Sequence, residues 1–173
     1  GVRPIGVAGV MGGADSEVAA GTSVIVLESA YFNPLSVRRT SRKLALKTEA
    51  SIRFERGADS RLPVMAMERA CALLDAIGAG RARGTVVDRY PVRIEPRTLR
   101  LRRAKIGGLL GVAVPDADLK RILESLGFTL RPSTSSGDSE SWEVTVPTRR
   151  IDGTREVDLI EEVARLRGYD TFP

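Results

Sequence analysis

The chain of 173 residues contains no histidine and only one cysteine, Cys71. Without histidine it lacks the commonest general base, so a Ser-His-Asp or Cys-His catalytic site within the chain is excluded. One cysteine cannot form an internal disulfide, which predicts a reducing compartment, and one thiol without histidine argues against zinc. Hard-metal chemistry through aspartate and glutamate remains open, because such ions prefer oxygen ligands.

Aromatic residues and long apolar runs are also scarce. Aromatics make up 5% of the chain and hydrophobic residues 42%, so a core must be built from Val, Leu, Ile and Ala. No apolar run reaches the length of a membrane span, and no signal-peptide pattern opens the chain. We therefore expect a soluble, cytoplasmic protein. The first residue is not Met, and the opening GVRPIGVAGVMGG predicts a piece of a longer chain.

Positive charge is concentrated in one short segment. The net charge is +5 at pH 7, and the segment RRTSRKLALK (38–47) contains five cations and no anion. Such a segment forms either a solvated helix face or loop, or a surface that contacts a polyanion. The five cations are Arg38, Arg39, Arg42, Lys43 and Lys47.

Strand-like and helix-like segments are mixed without regular alternation, which predicts an α+β fold rather than a doubly wound sheet. The Pro-punctuated stretch 90–101 is interpreted as the join between two modules, residues 1–90 and 91–173. In the first module, TSVIVLESAYF (22–32) and TVVD (85–88) are predicted to be strands.

Helices are predicted from apolar spacing and from capping residues. In the first module residues 35–47 favour a polar helix, TEASIRFERG favours a loop with a short turn, and a third segment favours a helix beginning near Ser60. One face of that third helix should pack on a core through Ala66, Ala70, Leu73, Leu74 and Ile77. The second module is predicted to contain three helices, in RRAKIGGLLG, PDADLKRILESLG and GTREVDLIEEVARLRG, and three strands, in RTLRL, FTLRP and SWEVTVP, with a polar wing in STSSGDSES.

Two sets of acidic residues are candidates for chemistry. Glu28 ends an apolar segment, where it is either an exposed surface acid or a pocket acceptor for a ligand hydroxyl or amine. Asp158, Glu161 and Glu162 share one helix face, and Asp152 lies just before that helix. These four carboxylates either bind Mg²⁺, or complement the helix dipole and pair with neighbouring arginines.

Several motifs together resemble one family. The segments GVAGVMGGADSEV, VLESAYFNPLSVRRTSRKLALKTEASIRFERGAD, AMERACALL and VPTRRIDGTREVDLIEEVARLRGYDTFP resemble the bacterial phenylalanyl-tRNA synthetase β subunit in order and over nearly the whole chain. The resemblance implies that residues 1–90 are the C-terminal part of an editing module, which hydrolyses tRNA mischarged with tyrosine. Residues 91–173 would be a small winged-helix-like module with an exit helix.

The resemblance also implies roles for individual residues of an editing pocket. Glu28 would accept a hydrogen bond from the tyrosine hydroxyl, and Thr48 would position the ester or the attacking water. Ala50 would leave room for the ring, and Gly12 would allow close approach of the backbone. The family's pocket also uses upstream residues, including a histidine, that have no counterpart in this chain.

Cofactors and partners follow from the same resemblance. Asp152, Asp158, Glu161 and Glu162 match the family's Mg²⁺ ligands, an ion that the parent enzyme shares with its α subunit. The parent is expected to be a heterotetramer that uses ATP, phenylalanine and tRNA(Phe), although no ATP-phosphate motif occurs here. The basic segment would meet the tRNA backbone. The alternatives are a non-catalytic nucleic-acid-binding module and a scaffold that docks the α subunit.

Overall fold

The computed structural model describes residues 3–133 and 141–173, which form two compact units, Gly1–Val92 and Arg93–Pro173. Helices are combined with two small antiparallel sheets, which confirms the predicted α+β class. The predicted polar wing lies almost entirely outside the described residues. No helix within the described ranges combines the length and the apolar character that crossing a membrane requires.

The first unit combines a short hairpin with three helices. Strands β1 (Gly6–Val7) and β2 (Met11–Gly12) pair antiparallel. The helices are α1 (Pro34–Lys43), α2 (Glu49–Glu55) and α3 (Pro63–Ala76), and a 3-10 turn spans Ala14–Ser16. Helix α1 begins where Asn33 accepts a hydrogen bond from the Ser36 amide at 3.0 Å, with Pro34 at the first helical position. Both features satisfy or remove amide donors that a helix start leaves unpaired.

The prediction that 22–32 and 85–88 are strands was wrong: neither segment belongs to a sheet within the described residues. Val24 is 81% exposed and Val26 is 95% exposed. A β-branched pattern favours an extended chain, whereas a strand also needs a neighbour whose backbone can complete its hydrogen bonds. The segment 22–32 therefore exposes apolar side chains to solvent.

The third predicted helix of this unit exists as α3, but its expected packing does not. None of its residues is buried, and Leu73 and Ile77 are 46% and 74% exposed. Helical spacing shows that apolar side chains share a face, but it does not supply the surface on which that face would pack.

The second unit is built on a three-stranded antiparallel sheet. Strands β3 (Arg97–Arg102), β4 (Thr129–Pro132) and β5 (Ser141–Val146) lie in the order β3-β5-β4, so β5 is central. The three predicted helices are confirmed as α4 (Arg103–Leu110), α5 (Asp116–Ser125) and α6 (Glu156–Arg167). Aliphatic side chains from helices and sheet form one core, each contributing about 1.5–3 kcal/mol on full burial. Fully buried members include Leu101, Leu119, Leu123, Val144 and Leu159.

One carboxylate fixes the start of α6 to the end of β3. Glu156 Oε1 accepts a hydrogen bond from the Arg102 backbone amide at 2.8 Å, and Glu156 Oε2 contacts Arg102 Nη2 at 2.6 Å. The Arg102 side chain is the main cause that lowers the pKa of Glu156 below its ordinary value of 4.5, although burial of the carboxylate opposes this. The charged form of Glu156 is therefore the form that the folded unit favours.

Glu156 should make stability sensitive to acid. Because its pKa is lower when the chain is folded, its contribution is fully present above pH 4.5 and is lost as the pH falls through the lowered value. We expect Glu156→Gln to be less stable than the wild type at neutral pH, with the difference shrinking in acid. Urea unfolding across that pH range measures this. Glu124→Gln, at an exposed pair with Lys120, is the control; a constant difference at all pH values would refute the prediction.

Candidate functional site

The first unit contains a cavity of about 960 Å³. Its walls come from the β1–β2 hairpin, from the segment leading to Phe32, and from the beginnings of α2 and α3. Gly12, Glu28 and Ala50 all line it, so three of the four predicted pocket residues share one cavity. Thr48 does not line the cavity, but it is hydrogen-bonded to Val10, which does.

The cavity is mostly apolar, with an aromatic pair in its wall. The rings of Phe32 and Phe54 meet edge to face, with centroids 4.9 Å apart and an angle of 85° between their planes. Edge-to-face contact stabilises such pairs, because the positive ring edge meets the negative ring face. The wall thus offers a hydrophobic surface suited to a planar side chain.

The acidic part of the wall combines the two alternatives considered for Glu28, because this residue is exposed and also lines the cavity. Two further carboxylates, Glu17 and Asp59, accompany it in the wall. Asp59 Oδ1 accepts a hydrogen bond from the Arg61 amide at 2.9 Å. An exposed acceptor keeps its hydration, so leaving it unpaired costs less than leaving a buried one unpaired. The described geometry therefore gives Glu28 a place in the pocket without the desolvation that strong discrimination requires.

Thr48 is already engaged in two hydrogen bonds. Its Oγ1 donates to the Val10 carbonyl at 2.6 Å and accepts from the Ser51 amide at 3.1 Å. In return, Ser51 Oγ accepts from the Thr48 amide at 2.9 Å. A hydroxyl has one hydrogen to donate, so Thr48 retains only acceptor capacity. Its observed part is to fasten the start of α2 to the hairpin.

The same contacts explain a helix that sequence reasoning missed. TEASIRFERG contains α2 rather than a loop, because Thr48 and Ser51 form a reciprocal capping box at its start. The Thr-x-x-Ser spacing was the available signal. Ser51 is 1% exposed, and Ser41 Oγ, which donates to the Leu46 carbonyl, lies 3.5 Å from Ser51 Oγ.

The cations of the basic segment occupy the outer side of α1 and the residues after it. Val37 and Ser41, four residues apart, are buried, so that face is turned inward. Within the described ranges none of the five cations forms an ion pair with a carboxylate. All five are exposed, namely Arg38, Arg39, Arg42, Lys43 and Lys47.

In the second unit, two of the four predicted metal ligands meet at an arginine. Arg150 Nη2 donates to Asp152 Oδ2 at 2.7 Å and to Glu162 Oε1 at 2.8 Å. Glu162 Oε2 also accepts from Arg165. Arg150 is the main cause that lowers the pKa of both carboxyl groups, against the opposing effect of burial.

The other two predicted ligands point elsewhere. Asp158 Oδ2 accepts from the amides of Thr154 and Arg155 at 2.9 and 2.8 Å, contacts that lower its pKa and cap α6. Glu161 is exposed. Among the described residues, no group of three or more Asp, Glu or Cys side chains is arranged to hold a metal ion.

Comparison with known proteins gives a match for each of the two units. Residues 1–79 match the B3/4 domain model, and residues 99–169 match the tRNA synthetase B5 domain model. The phenylalanine–tRNA ligase β subunit of Geobacter sulfurreducens is 45% identical over 170 residues, which cover 98% of this chain and 21% of that protein. The β subunit of Anaeromyxobacter dehalogenans is 46% identical over 171 residues, covering 99% and 21% respectively.

A B3/4 domain followed by a tRNA synthetase B5 domain, together with these relatives, indicates a segment of the aminoacyl-tRNA synthetase class. The chain belongs to the phenylalanine–tRNA ligase β-subunit family, as the earlier resemblance predicted. It spans about one fifth of the length of the curated relatives it matches.

The structural part of Thr48 can be tested in the chain itself. Thr48→Val removes the hydroxyl and leaves the Val10 carbonyl and the Ser51 amide unpaired, which should cost about 1–3 kcal/mol. Thr48→Ser retains both contacts and is the control. Hydrogen exchange at the Ser51 amide should accelerate in the valine variant only. Equal exchange rates in the two variants would show that the hydroxyl does not hold the start of α2.

Proposed function

We propose that the first unit forms part of an editing pocket of phenylalanine–tRNA ligase, in which tyrosine wrongly attached to tRNA(Phe) is recognised and hydrolysed. The observation that supports this most is the meeting of Gly12, Glu28 and Ala50 in one cavity beside the Phe32–Phe54 pair. Those residues are distant in sequence, and an apolar cavity with a few polar groups is the usual form of a small-molecule site.

Recognition would depend on the one group by which tyrosine differs from phenylalanine. A phenol hydroxyl can donate to the Glu28 carboxylate, whereas a phenyl ring leaves that acceptor unpaired. Because Glu28 is exposed, the difference becomes large only when bound aminoacyl-tRNA or another part of the ligase excludes water from it. The proposed pocket therefore reaches full selectivity in the assembled enzyme.

Thr48 would assist hydrolysis by position. In this reaction water attacks the ester carbonyl carbon, the bond to the ribose oxygen breaks, and free tyrosine and the tRNA hydroxyl are released. Thr48 holds the Val10 carbonyl in the wall, so it would help to position the ester and the attacking water through the shape of the pocket. It cannot also donate to the ester while it donates to Val10.

The proposal extends to the whole ligase. The parent joins phenylalanine to tRNA(Phe) with ATP in the cytoplasm, as a heterotetramer with the α subunit that supplies the aminoacylation site. The exposed cations of α1 would contact tRNA phosphates, which requires positive charge but no sequence code.

Mg²⁺ shared with the α subunit is also a proposal. Its ligands would be Asp152, Asp158, Glu161 and Glu162, whose hard oxygen atoms suit this ion. A bound Mg²⁺ would neutralise converging carboxylates at the edge of α6. In the described arrangement only Asp152 and Glu162 converge, and they do so on Arg150. The four residues fit the ion by chemistry, but not in their present positions.

Removing the Glu28 carboxylate tests the editing role. In the complete ligase, Glu28→Ala should slow hydrolysis of Tyr-tRNA(Phe) by about 10–100-fold, the loss of one hydrogen bond to a charged group. Deacylation of preformed Tyr-tRNA(Phe) measures this, with phenylalanine attachment expected to stay normal. Glu17→Ala, in the same cavity wall, is the matched control. Normal clearance by the Glu28 variant would refute the role.

The exposed cationic helix also supports the alternative of a non-catalytic nucleic-acid-binding module, and one binding experiment separates the two. Replacing Arg38 and Arg42 with Ala should weaken binding of tRNA to the chain. The slope of log K against log salt concentration should become shallower by about 1–2. Arg53→Ala is the control, because Arg53 is paired with Glu49 at 3.5 Å. Preference for duplex DNA over tRNA would favour the alternative, and an unchanged salt dependence would exclude α1 as the contact surface.

A further inference from the structure

Arg150 is held from three sides in the second unit. Its Nη2 lies 2.7 Å from Asp152 Oδ2 and 2.8 Å from Glu162 Oε1, and its Nε donates to Asp152 Oδ1 at 3.0 Å. The guanidinium carbon also lies 5.5 Å from the centre of the Phe128 ring. The Arg150 side chain is only 19% exposed and that of Glu162 only 11%. The Arg150 guanidinium is therefore held in one orientation by directed contacts, unlike the cation of an exposed surface ion pair.

The two carboxylates that Arg150 joins belong to the set proposed for Mg²⁺. Both Asp152 oxygens bond to Arg150, and the Glu162 oxygens bond to Arg150 and Arg165. Magnesium binds oxygen at about 2.0–2.1 Å, where its two positive charges would repel a guanidinium bonded to the same oxygen. A guanidinium and a divalent ion therefore compete for the same oxygens, and the arginine is already in position.

Of the remaining two acids, Asp158 cannot join without cost to the helix. Asp158 caps the first turn of α6 through the amides of Thr154 and Arg155. Turning its carboxylate toward a metal would leave those amides unpaired. Asp152, by contrast, lies in the turn before α6 with its side chain 64% exposed, so this side of the pair can move.

We infer that Arg150 is the resident cation of the Asp152–Glu162 pair, so that the second unit folds without a divalent ion, and Mg²⁺ reaches these carboxylates only when Arg150 withdraws. The inference rests on the proposed function solely in naming Mg²⁺ as the competing ion. Arg150 thereby acts as a built-in competitor that keeps the pair neutralised while no metal is bound.

The test uses the 173-residue chain, with thermal unfolding and Mn²⁺ binding followed by electron paramagnetic resonance. For the wild type we expect the same unfolding midpoint in EDTA and in millimolar Mg²⁺. Arg150→Gln should lower the midpoint in EDTA by about 4–8 °C and regain part of that loss in Mg²⁺. The variant should also bind Mn²⁺ at least about tenfold more tightly than the wild type, because Asp152 is left without its guanidinium partner and Glu162 keeps only Arg165.

Matched variants separate this effect from a general loss of charge. Arg155→Gln removes an exposed cation that pairs with Asp158 while leaving Arg150 in place, and its Mn²⁺ affinity should equal that of the wild type. Arg150→Lys keeps one positive charge without the planar fork, and should bind Mn²⁺ more tightly than the wild type but less tightly than Arg150→Gln.

Two results would overturn the inference. One is a wild-type chain whose unfolding midpoint depends on Mg²⁺. This measurement decides the question even if Arg150→Gln does not fold. The other is an Arg150→Gln chain that binds Mn²⁺ no more tightly than the wild type, including the case in which neither binds. Editing is measured separately through Glu28 in the first unit, so either proposal can fail while the other stands.

Discussion

The candidate pocket depends on one hydrogen bond, from Thr48 Oγ1 to the Val10 carbonyl at 2.6 Å. It joins residues 38 positions apart and fastens the start of α2 to the hairpin, so that Ala50 and Gly12 face the same space. In this unit the apolar core is small, since Val10 and Val37 are its only buried aliphatic residues within the described ranges. A hydrogen bond with a defined direction and length therefore holds α2 against the hairpin, whereas in the second unit hydrophobic packing holds the elements together.

The second unit shows the complementary arrangement, with a full apolar core and arginines at its edge. Arg102 joins Glu156 at the start of α6, and Arg150 joins Glu162 in the middle of the same helix. Each guanidinium provides several donors in a fixed plane, which suits it to join an element to a loop or strand. These contacts orient α6 over the sheet, while burial of side chains such as Leu159 supplies most of the stabilisation.

The sequence predicted best the elements whose partners are local or abundant. Helix α5 could be recognised from Leu119, Ile122 and Leu123 because their spacing matches a helix that packs on a core formed nearby. The segment 22–32 could not be placed, because pairing depends on a distant neighbour rather than on its own residues. The resemblance to a family predicted that Gly12, Glu28 and Ala50 share a pocket, and composition alone gives no reason to group these three residues. The spacing of the acids near α6 predicted a shared site, but it could not show that Arg150 would bond to two of them.

The exposed segment around Val24 and Val26 has a practical consequence for handling this chain. It is β-branched, free of proline, and outside any sheet within the described residues, so its backbone groups are available to a second copy. In concentrated solution we expect it to favour intermolecular strand addition, and because Val24 and Val26 also line the cavity, charged substitutions made there for solubility would alter the pocket itself.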